Sequence, residues 1–171
     1  MVGNVVWTSN FVMTINVKLV VNKFQGQYRV KIDAKGRMVL PAKLKSCLPE
    51  SHNRDVVLFQ GEDNCIEVFT QDVWVQRANK VANISRKGLS PDKVKKVKIF
   101  QRQYFSRSLE VELDANGRLL IPRSFLEFAQ IEKEIVVVGE WNKIELWNPE
   151  SYEQFIAEDD VDFSEMLSEY L

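Results

Sequence analysis

The chain is poor in cysteine and histidine, and these scarcities exclude several classes of protein. Its two cysteines, Cys47 and Cys65, have neither the spacing of a disulfide framework nor that of a metal site, so a reducing cytoplasm is the default compartment. The single histidine, His52, lies in a polar loop, without a nucleophile–base arrangement or a phosphate-binding glycine loop. We therefore predict a protein that is not an enzyme, binds no small-molecule substrate, and uses no metal ion or other cofactor.

The chain also lacks long apolar runs and a large net charge of either sign. No run reaches the roughly 18–20 apolar residues of a membrane span, so we expect no membrane partner. The formal net charge of −1 hides a strong polarity: residues 1–110 carry 19 Lys and Arg against 9 Asp and Glu, whereas residues 111–171 carry 4 against 15. Such polarity is typical of a basic face for an acidic partner or of self-association between opposite surfaces, but solvated helix faces without any partner produce it too.

One ten-residue stretch occurs twice. Residues 32–41 read IDAKGRMVLP and residues 113–122 read LDANGRLLIP. Asp, Ala, Gly, Arg and Pro recur at a constant offset of 81, with apolar residues matching before and after them. A constant offset over so many positions indicates a duplicated unit.

Each copy has the chemistry of a tight turn between two strands. Apolar and polar residues alternate through residues 28–33, which predicts a strand that enters the first turn. The Asp33 carboxylate can accept backbone N–H groups just ahead of it, and Gly36 tolerates a positive φ. Arg37, and Arg118 in the second copy, therefore lie just past a turn at the start of a short strand that ends at a proline.

The elements that follow each turn repeat as well. In each half the sequence predicts a β-hairpin, a short helix, a second β-hairpin and a longer helix, with Phe105 at the position equivalent to Phe24. We predict a mainly β protein with helices, of the α+β class, whose halves form one pseudo-symmetric β-barrel. Residues 1–22 are expected to be a disordered extension or the result of a start site placed too far upstream. The first repeat, a basic linking helix, the second repeat and an acidic tail are expected at residues 23–86, 87–104, 105–157 and 158–171.

The paired Asp-x-x-Gly-Arg…Pro turns and the strand Ile144-Glu145-Leu146-Trp147 resemble the MraZ family of bacterial transcriptional regulators. The resemblance extends from Lys23 to Phe155, and it implies a double-split β-barrel of the AbrB/MazE/MraZ-like swapped-hairpin superfamily. The sequence departs from the family pattern at Phe24-Gln25-Gly26, where many members have Phe-Arg-Gly, and in its 22-residue leader.

The resemblance also implies a function. It implies a cytoplasmic, nucleoid-associated repressor that acts at the promoter of the division and cell-wall gene cluster, and so on its own transcription. It implies a ring-like homo-oligomer that reads repeated short G-rich boxes in double-stranded DNA, where linked copies gain avidity. Two interpretations of other classes compete with this one. The first is an antitoxin-like interaction module without a specific DNA operator, and the second is a structural protein that polymerises through its oppositely charged halves.

The family's Asp-x-x-x-Arg motif maps onto Asp33 with Arg37 and onto Asp114 with Arg118. Each aspartate could pair with its arginine simply to hold the turn, a weak contribution when the pair is exposed. Alternatively, the aspartate orients the guanidinium for contacts with guanine O6 and N7 or with a phosphate. The resemblance favours the second interpretation, in which both arginines contact DNA.

The two copies differ in charge. The outward positions before and inside the first turn are basic, namely Arg29, Lys31 and Lys35. Their counterparts in the second copy are Glu110, Glu112 and Asn116. Because acidic residues beside phosphates are unfavourable, we expect the first turn to contribute more of the affinity for DNA. We therefore rank Arg37, Lys35, Arg29 and Lys31 above Arg118, with Arg123 as a further candidate in the second copy.

Residues 77–107 hold ten Lys or Arg and one acid. This basic stretch could contact phosphates, form a solvated helix face, or meet the acidic tail of a neighbouring subunit. We expect the tryptophans Trp74, Trp141 and Trp147 to lie in the core or an interface, and both cysteines to be small buried residues.

Overall fold

The structure, a computed structural model, describes residues 23–49, 55–158 and 161–171. The expected N-terminal extension at residues 1–22 lies outside the described residues, as does His52. The strands of the first half are β1 (Phe24–Lys31), β2 (Arg37–Val39), β3 (Asp55–Gln60) and β4 (Ile66–Thr70). Those of the second half are β5 (Ser108–Glu112), β6 (Arg118–Leu120), β7 (Glu134–Trp141) and β8 (Lys143–Trp147). The helices are α1 (Ala42–Lys45), α2 (Gln71–Ala82), α3 (Pro91–Ser106), α4 (Arg123–Phe128), α5 (Pro149–Glu158) and α6 (Phe163–Tyr170).

The strands form two antiparallel sheets in which the halves exchange their first strands. The larger sheet has the order β1-β7-β8-β4-β3-β5, and the smaller one is a ribbon of β2 and β6. Thus β1 pairs with the second half and β5 pairs with the first. From local sequence β1 and β2 were expected to form a hairpin with each other. They share the turn and one isolated bridge between Ile32 and Met38, while both find their main partners in the other half.

A pseudo-two-fold axis relates the halves, because reversing the strand order exchanges each strand with its counterpart in the other repeat. In the ribbon, Met38 lies directly opposite its own equivalent, Leu119. In the large sheet, Glu67 lies directly opposite its own equivalent, Glu145. The axis therefore passes through one apolar pair in the ribbon and one acidic pair in the sheet.

The acidic pair on the axis is stabilised by a lysine, since two like charges directly opposite each other would destabilise the sheet. Lys143 forms ion pairs with Glu67, and with Glu140 and Glu145 at 2.9 Å each. Burial by itself lowers the pKa of Lys143, but the hydrogen bonds from its ammonium group to the three carboxylates outweigh burial, so its pKa is raised. Trp147 Nε1 also donates to Glu145 Oε2 at 2.9 Å. This cluster joins β4 of one half to β8 of the other.

The core lies between the ribbon and the large sheet. Met38 and Leu119 of the ribbon pack in one apolar cluster with Leu58, Ile135 and Leu146 of the sheet, all at most 1% exposed. The short helices close the cluster, with Leu44 of α1 and Phe125 of α4 also buried. Burial of each such side chain stabilises the fold by roughly 1.5–3 kcal/mol. The alternating sequence of the strands explains this arrangement, because it turns one face of each strand inward.

Helices α2 and α3 pack through aromatic side chains on the far side of β3. The rings of Trp74 and Tyr104 stack at a centroid distance of 5.6 Å, and Phe59 lies 4.8 Å from Tyr104. Ser90 caps α3, since its hydroxyl accepts the N–H of Lys93. The helix continues to Ser106. Phe105 is therefore an exposed helical residue, whereas Phe24 at the matching repeat position is buried in β1.

Burial of the cysteines and tryptophans only partly follows the sequence prediction. Cys65 is buried, and its burial together with the charges of Glu145 and Glu67 raises the pKa of its thiol to about 12. Cys47 is half-buried, so its predicted burial is wrong. Trp147 lies in the core, whereas Trp141 is exposed beneath the ammonium group of Lys23.

These observations confirm an α+β protein built from two repeated halves around antiparallel sheets. Among the helices in the described part of the chain, none combines the length and apolar character needed to cross a bilayer.

Candidate nucleic-acid interface

The first repeated turn is held by the carboxylate of Asp33. Its Oδ1 accepts the backbone N–H groups of Lys35 at 2.8 Å and Arg37 at 3.0 Å. Its Oδ2 accepts Nε of Arg37 at 2.8 Å and lies 2.7 Å from Nη2 of the same guanidinium. The hydrogen bond from the Arg37 side chain, followed by those from the backbone, lowers the pKa of Asp33 to about 2. One carboxylate thus orders both the turn and the arginine that follows it.

The second turn reproduces this hydrogen-bond pattern. Asp114 Oδ1 accepts the N–H groups of Asn116 at 2.8 Å and Arg118 at 2.9 Å, and Oδ2 accepts Arg118 Nε at 2.6 Å. The backbone N–H and then the side chain of Arg118 lower the pKa of Asp114. Gly36 and Gly117 have φ values of +81° and +71°, where an L-residue would be strained.

Each turn is also fixed by the opposite half of the chain. The carbonyl oxygen of Gly36 accepts the N–H of Ile121 at 2.9 Å, and that of Gly117 accepts the N–H of Leu40 at 3.2 Å. A methyl group on Gly36 would lie 2.8 Å from the carbonyl oxygen of Ile121, so this close approach also requires glycine. Neither turn is therefore a free loop, and the two arginines occupy set positions relative to each other.

The outer face of the ribbon brings the two arginines together. Met38 and Leu119 point into the core, so their neighbours along β2 and β6 point outward. Arg37 lies directly opposite Leu120, and Val39 lies directly opposite Arg118. Val39 and Leu120 are 56% and 52% exposed, so this face leaves two apolar side chains in contact with solvent. The face therefore presents two arginines on one diagonal and two exposed apolar side chains on the other.

Each guanidinium keeps donors available for a ligand. An arginine side chain has five N–H donors in a planar fork. In Arg37 the aspartate engages the side formed by Nε and Nη2. The two N–H groups of Nη1 and the second one of Nη2 are not needed for that contact, and the Arg37 side chain is one-third exposed. The aspartate thus limits rotation of the fork while its end remains able to make a bidentate contact.

The remaining predicted site residues fall into two groups. Lys35 lies in the first turn and lines a surface groove. Arg123, at the start of α4, is 91% exposed, lines the same groove as Lys35 and pairs with Glu127 at 2.7 Å. Arg29 and Lys31 instead lie on β1 in the large sheet. Arg29 pairs at 2.5 Å with Glu153 of α5, and Lys31 lies opposite Glu134. The structure thus brings Lys35, Arg37, Arg118 and Arg123 together around the ribbon, and places Arg29 and Lys31 beside acidic residues of the second half.

Sequence reasoning missed one cation beside the second turn. The side chain of Lys45, from α1, lies over Gly117, so that a methyl group there would be 2.5 Å from its Nζ. The equivalent contact at Gly36 is made by Leu126, which stands 81 positions after Lys45. Lys45 therefore supplies a positive charge to the turn whose own sequence has Asn116 in place of a lysine. The repeat offset could have identified the pair of positions, but not that each packs against the opposite turn.

Comparison with known proteins agrees with this repeated architecture. The family model of the MraZ protein matches residues 24–94 and again residues 104–170. The chain belongs to the MraZ family of transcriptional regulators. The transcriptional regulator MraZ of Cytophaga hutchinsonii is 40% identical over 148 residues, which make up 86% of this chain and 94% of that protein. Membership in the MraZ family confirms the resemblance inferred from the paired turns, and with it the prediction that the chain is not an enzyme.

Proposed function

We propose that the outer face of the β2–β6 ribbon binds double-stranded DNA sequence-specifically. The observation that carries this proposal is the pair of aspartate-oriented arginines, Arg37 and Arg118, on one exposed face. The major groove of B-DNA admits a two-stranded β-ribbon, and the end of an arginine fork matches O6 and N7 of guanine. Two arginines related by a pseudo-two-fold axis would read guanines at two positions of a short G-rich box.

The exposed apolar residues suit the same groove. Thymine presents a C5-methyl group there, and aliphatic side chains contact it favourably. Val39 and Leu120 each lie directly across the ribbon from an arginine. When Arg37 contacts a guanine, Leu120 would therefore lie within reach of a neighbouring base. When Arg118 contacts a guanine, Val39 would lie within reach of a neighbouring base in the same way.

Cations around the ribbon supply contacts that do not depend on sequence. Lys35 and Arg123 flank the first turn, and Lys45 flanks the second. Phosphate contacts of this kind position a protein on the duplex and make its affinity fall with salt. Arg29 and Lys31 would add to them, but their acidic neighbours on α5 and β7 make the contribution smaller than the sequence alone suggests.

We infer further that the ribbon and the large sheet are the two parts of a double-split β-barrel. The shared apolar core and the exchange of first strands support this inference. One ribbon contacts few base pairs, so the proposed regulator acts as a homo-oligomer on repeated boxes, where linked copies gain avidity. In this proposal the regulator works in the cytoplasm at the nucleoid. It represses the promoter of the division and cell-wall gene cluster, and so its own transcription.

The test is fluorescence anisotropy of the purified chain on labelled DNA from upstream of its own gene, with a scrambled duplex as the control. The titrations are repeated at several salt concentrations. Tight binding to the upstream DNA, with weaker and more salt-sensitive binding to the scrambled duplex, is the expected result. Equal binding to both duplexes would contradict sequence-specific reading, and no binding to either would contradict the proposal altogether.

A further inference from the structure

The C-terminal helix α6 presents an apolar stripe to solvent. Asp162 caps the helix by accepting the N–H groups of Ser164 and Glu165 at 2.9 and 3.1 Å. The stripe has the spacing of one helix face and consists of Phe163, Met166, Leu167 and Tyr170, of which the first and last are 72% and 71% exposed. A helix of eight residues is marginal by itself in water, and tertiary packing of its apolar face normally supplies its stability. This stripe therefore suits a protein surface that the described part of the chain does not supply.

The charge around that stripe is of one sign. Residues 158–171 contain six Asp and Glu and no Lys or Arg. Within α6, Glu169 stands three residues after Met166 and so flanks the stripe, and Glu165 stands one turn before Glu169. A partner surface should accordingly combine exposed apolar side chains with positive charge and contain few acids.

Helix α3 has such a surface on its outward side. Ile99 is 43% exposed, and the residues four before, three before and three after it are all basic: Lys95, Lys96 and Arg102. One end of this face borders a surface groove lined by Arg86, Lys98, Gln101, Arg102 and Phe105. Phe105 is exposed beside these cations. DNA phosphates would account for the cations but not for the apolar residues placed among them.

We infer that α6 of one copy of the chain packs on the outward face of α3 of a second copy, its apolar stripe on Ile99 and Phe105 and its glutamates beside Lys95 and Arg102. Among the residues that the structure describes, nothing covers either surface, so neither is occupied by the other in the same molecule. The contact is heterologous, since donor and acceptor are different patches of one chain, and repetition of such a contact generates a ring or a filament. The inference rests on the proposed homo-oligomer and names the surfaces that build it.

The test is a charge exchange read out by molecular mass in solution, without DNA. One variant carries Glu165→Lys with Glu169→Lys, a second carries Lys95→Glu with Arg102→Glu, and a third combines all four substitutions. We expect the unaltered chain to assemble, each two-site variant to fall to or towards the single-chain mass of 19.9 kDa, and the four-site variant to assemble again. Recovery in the four-site variant also rules out simple unfolding of α6, because a helix lost through substitution would not be restored by changes on α3.

Glu132→Lys and Lys133→Glu serve as matched controls, because both residues are exposed just before β7 and belong to neither α3 nor α6. They are expected to leave the mass unchanged. The inference is overturned if the unaltered chain is a monomer, if either two-site variant keeps the full mass, or if the four-site variant stays dissociated. Loss of DNA affinity in the Lys95→Glu, Arg102→Glu variant with its mass unchanged would overturn it too, and would assign α3 to phosphate contacts. Because the mass is measured without DNA, this result can be interpreted even if the DNA-binding proposal fails.

Discussion

Replacement of Arg37 by lysine tests whether Arg37 reads a base or only adds positive charge to the ribbon. Lysine keeps the positive charge on the ribbon but has no planar fork, so it cannot make the bidentate contact with guanine O6 and N7. In the structure, Asp33 restrains the guanidinium through Nε and Nη2, and a lysine ammonium would be drawn towards that same carboxylate. The substitution should therefore remove discrimination between sequences and leave general attraction to DNA in place.

The expected size follows from the contact that is lost. One good bidentate arginine–guanine pair is worth about 1–3 kcal/mol of discrimination, which corresponds to roughly a 5- to 150-fold ratio of affinities. Arg37→Lys should reduce the preference for the upstream duplex over the scrambled one by that factor. The affinity for the scrambled duplex and its salt dependence should stay as in the unaltered chain, since the number of cations is unchanged.

Arg118→Lys and Arg123→Lys complete the series. Arg118 has the same restraint from its aspartate, but the strand that precedes its turn, β5, carries Glu110 and Glu112, so we expect a smaller loss than for Arg37. Arg123 is almost fully exposed and paired with Glu127 on its own helix, so Arg123→Lys should not change discrimination. Fluorescence anisotropy with both duplexes measures all three variants. Full discrimination in Arg37→Lys, or an equal loss of affinity for both duplexes, would refute base reading by the ribbon.

Three further predictions concern stability. Asp33→Asn should lower the melting temperature at neutral pH, as measured by thermal unfolding monitored by circular dichroism. The pKa of Asp33 in the folded state lies near 2 instead of the usual 3.8. The difference in melting temperature from the unaltered chain should therefore be full above about pH 4 and shrink as the pH falls towards 2. Gly36→Ala should lower the free energy of unfolding by about 1–3 kcal/mol in urea titrations, because of both its positive φ and the carbonyl oxygen 2.8 Å from the new methyl group. Gly88→Ala, with a similar φ but open space around it, should cost less, and equal effects would contradict the role of the close approach. Lys143→Met should destabilise the fold by about 3–5 kcal/mol at pH 7, as measured by urea titration, because it leaves the part-buried carboxylates of Glu67 and Glu145 without their cation.

Much of the fold could be predicted because its signals are local. The turn from Asp33 to Arg37 depends on contacts within four residues, and both copies have the expected hydrogen bonds. The order of strands and helices in each half followed from the periodic alternation of apolar and polar residues.

The sequence alone determined three features: the duplicated turn, its aspartate–arginine pair, and the opposite charge of the two ends of the chain. Each depends on composition or on residues close together along the chain. Tertiary structure alone decided which strands pair. It joined β2 to β6, and so made Arg37 and Arg118 diagonal neighbours although 80 residues stand between them. It also set Lys45 against the opposite turn and Glu67 against Glu145. The physical reason is that strand partners are selected by burial of both halves' apolar faces in one core, and no local spacing in the chain records that choice.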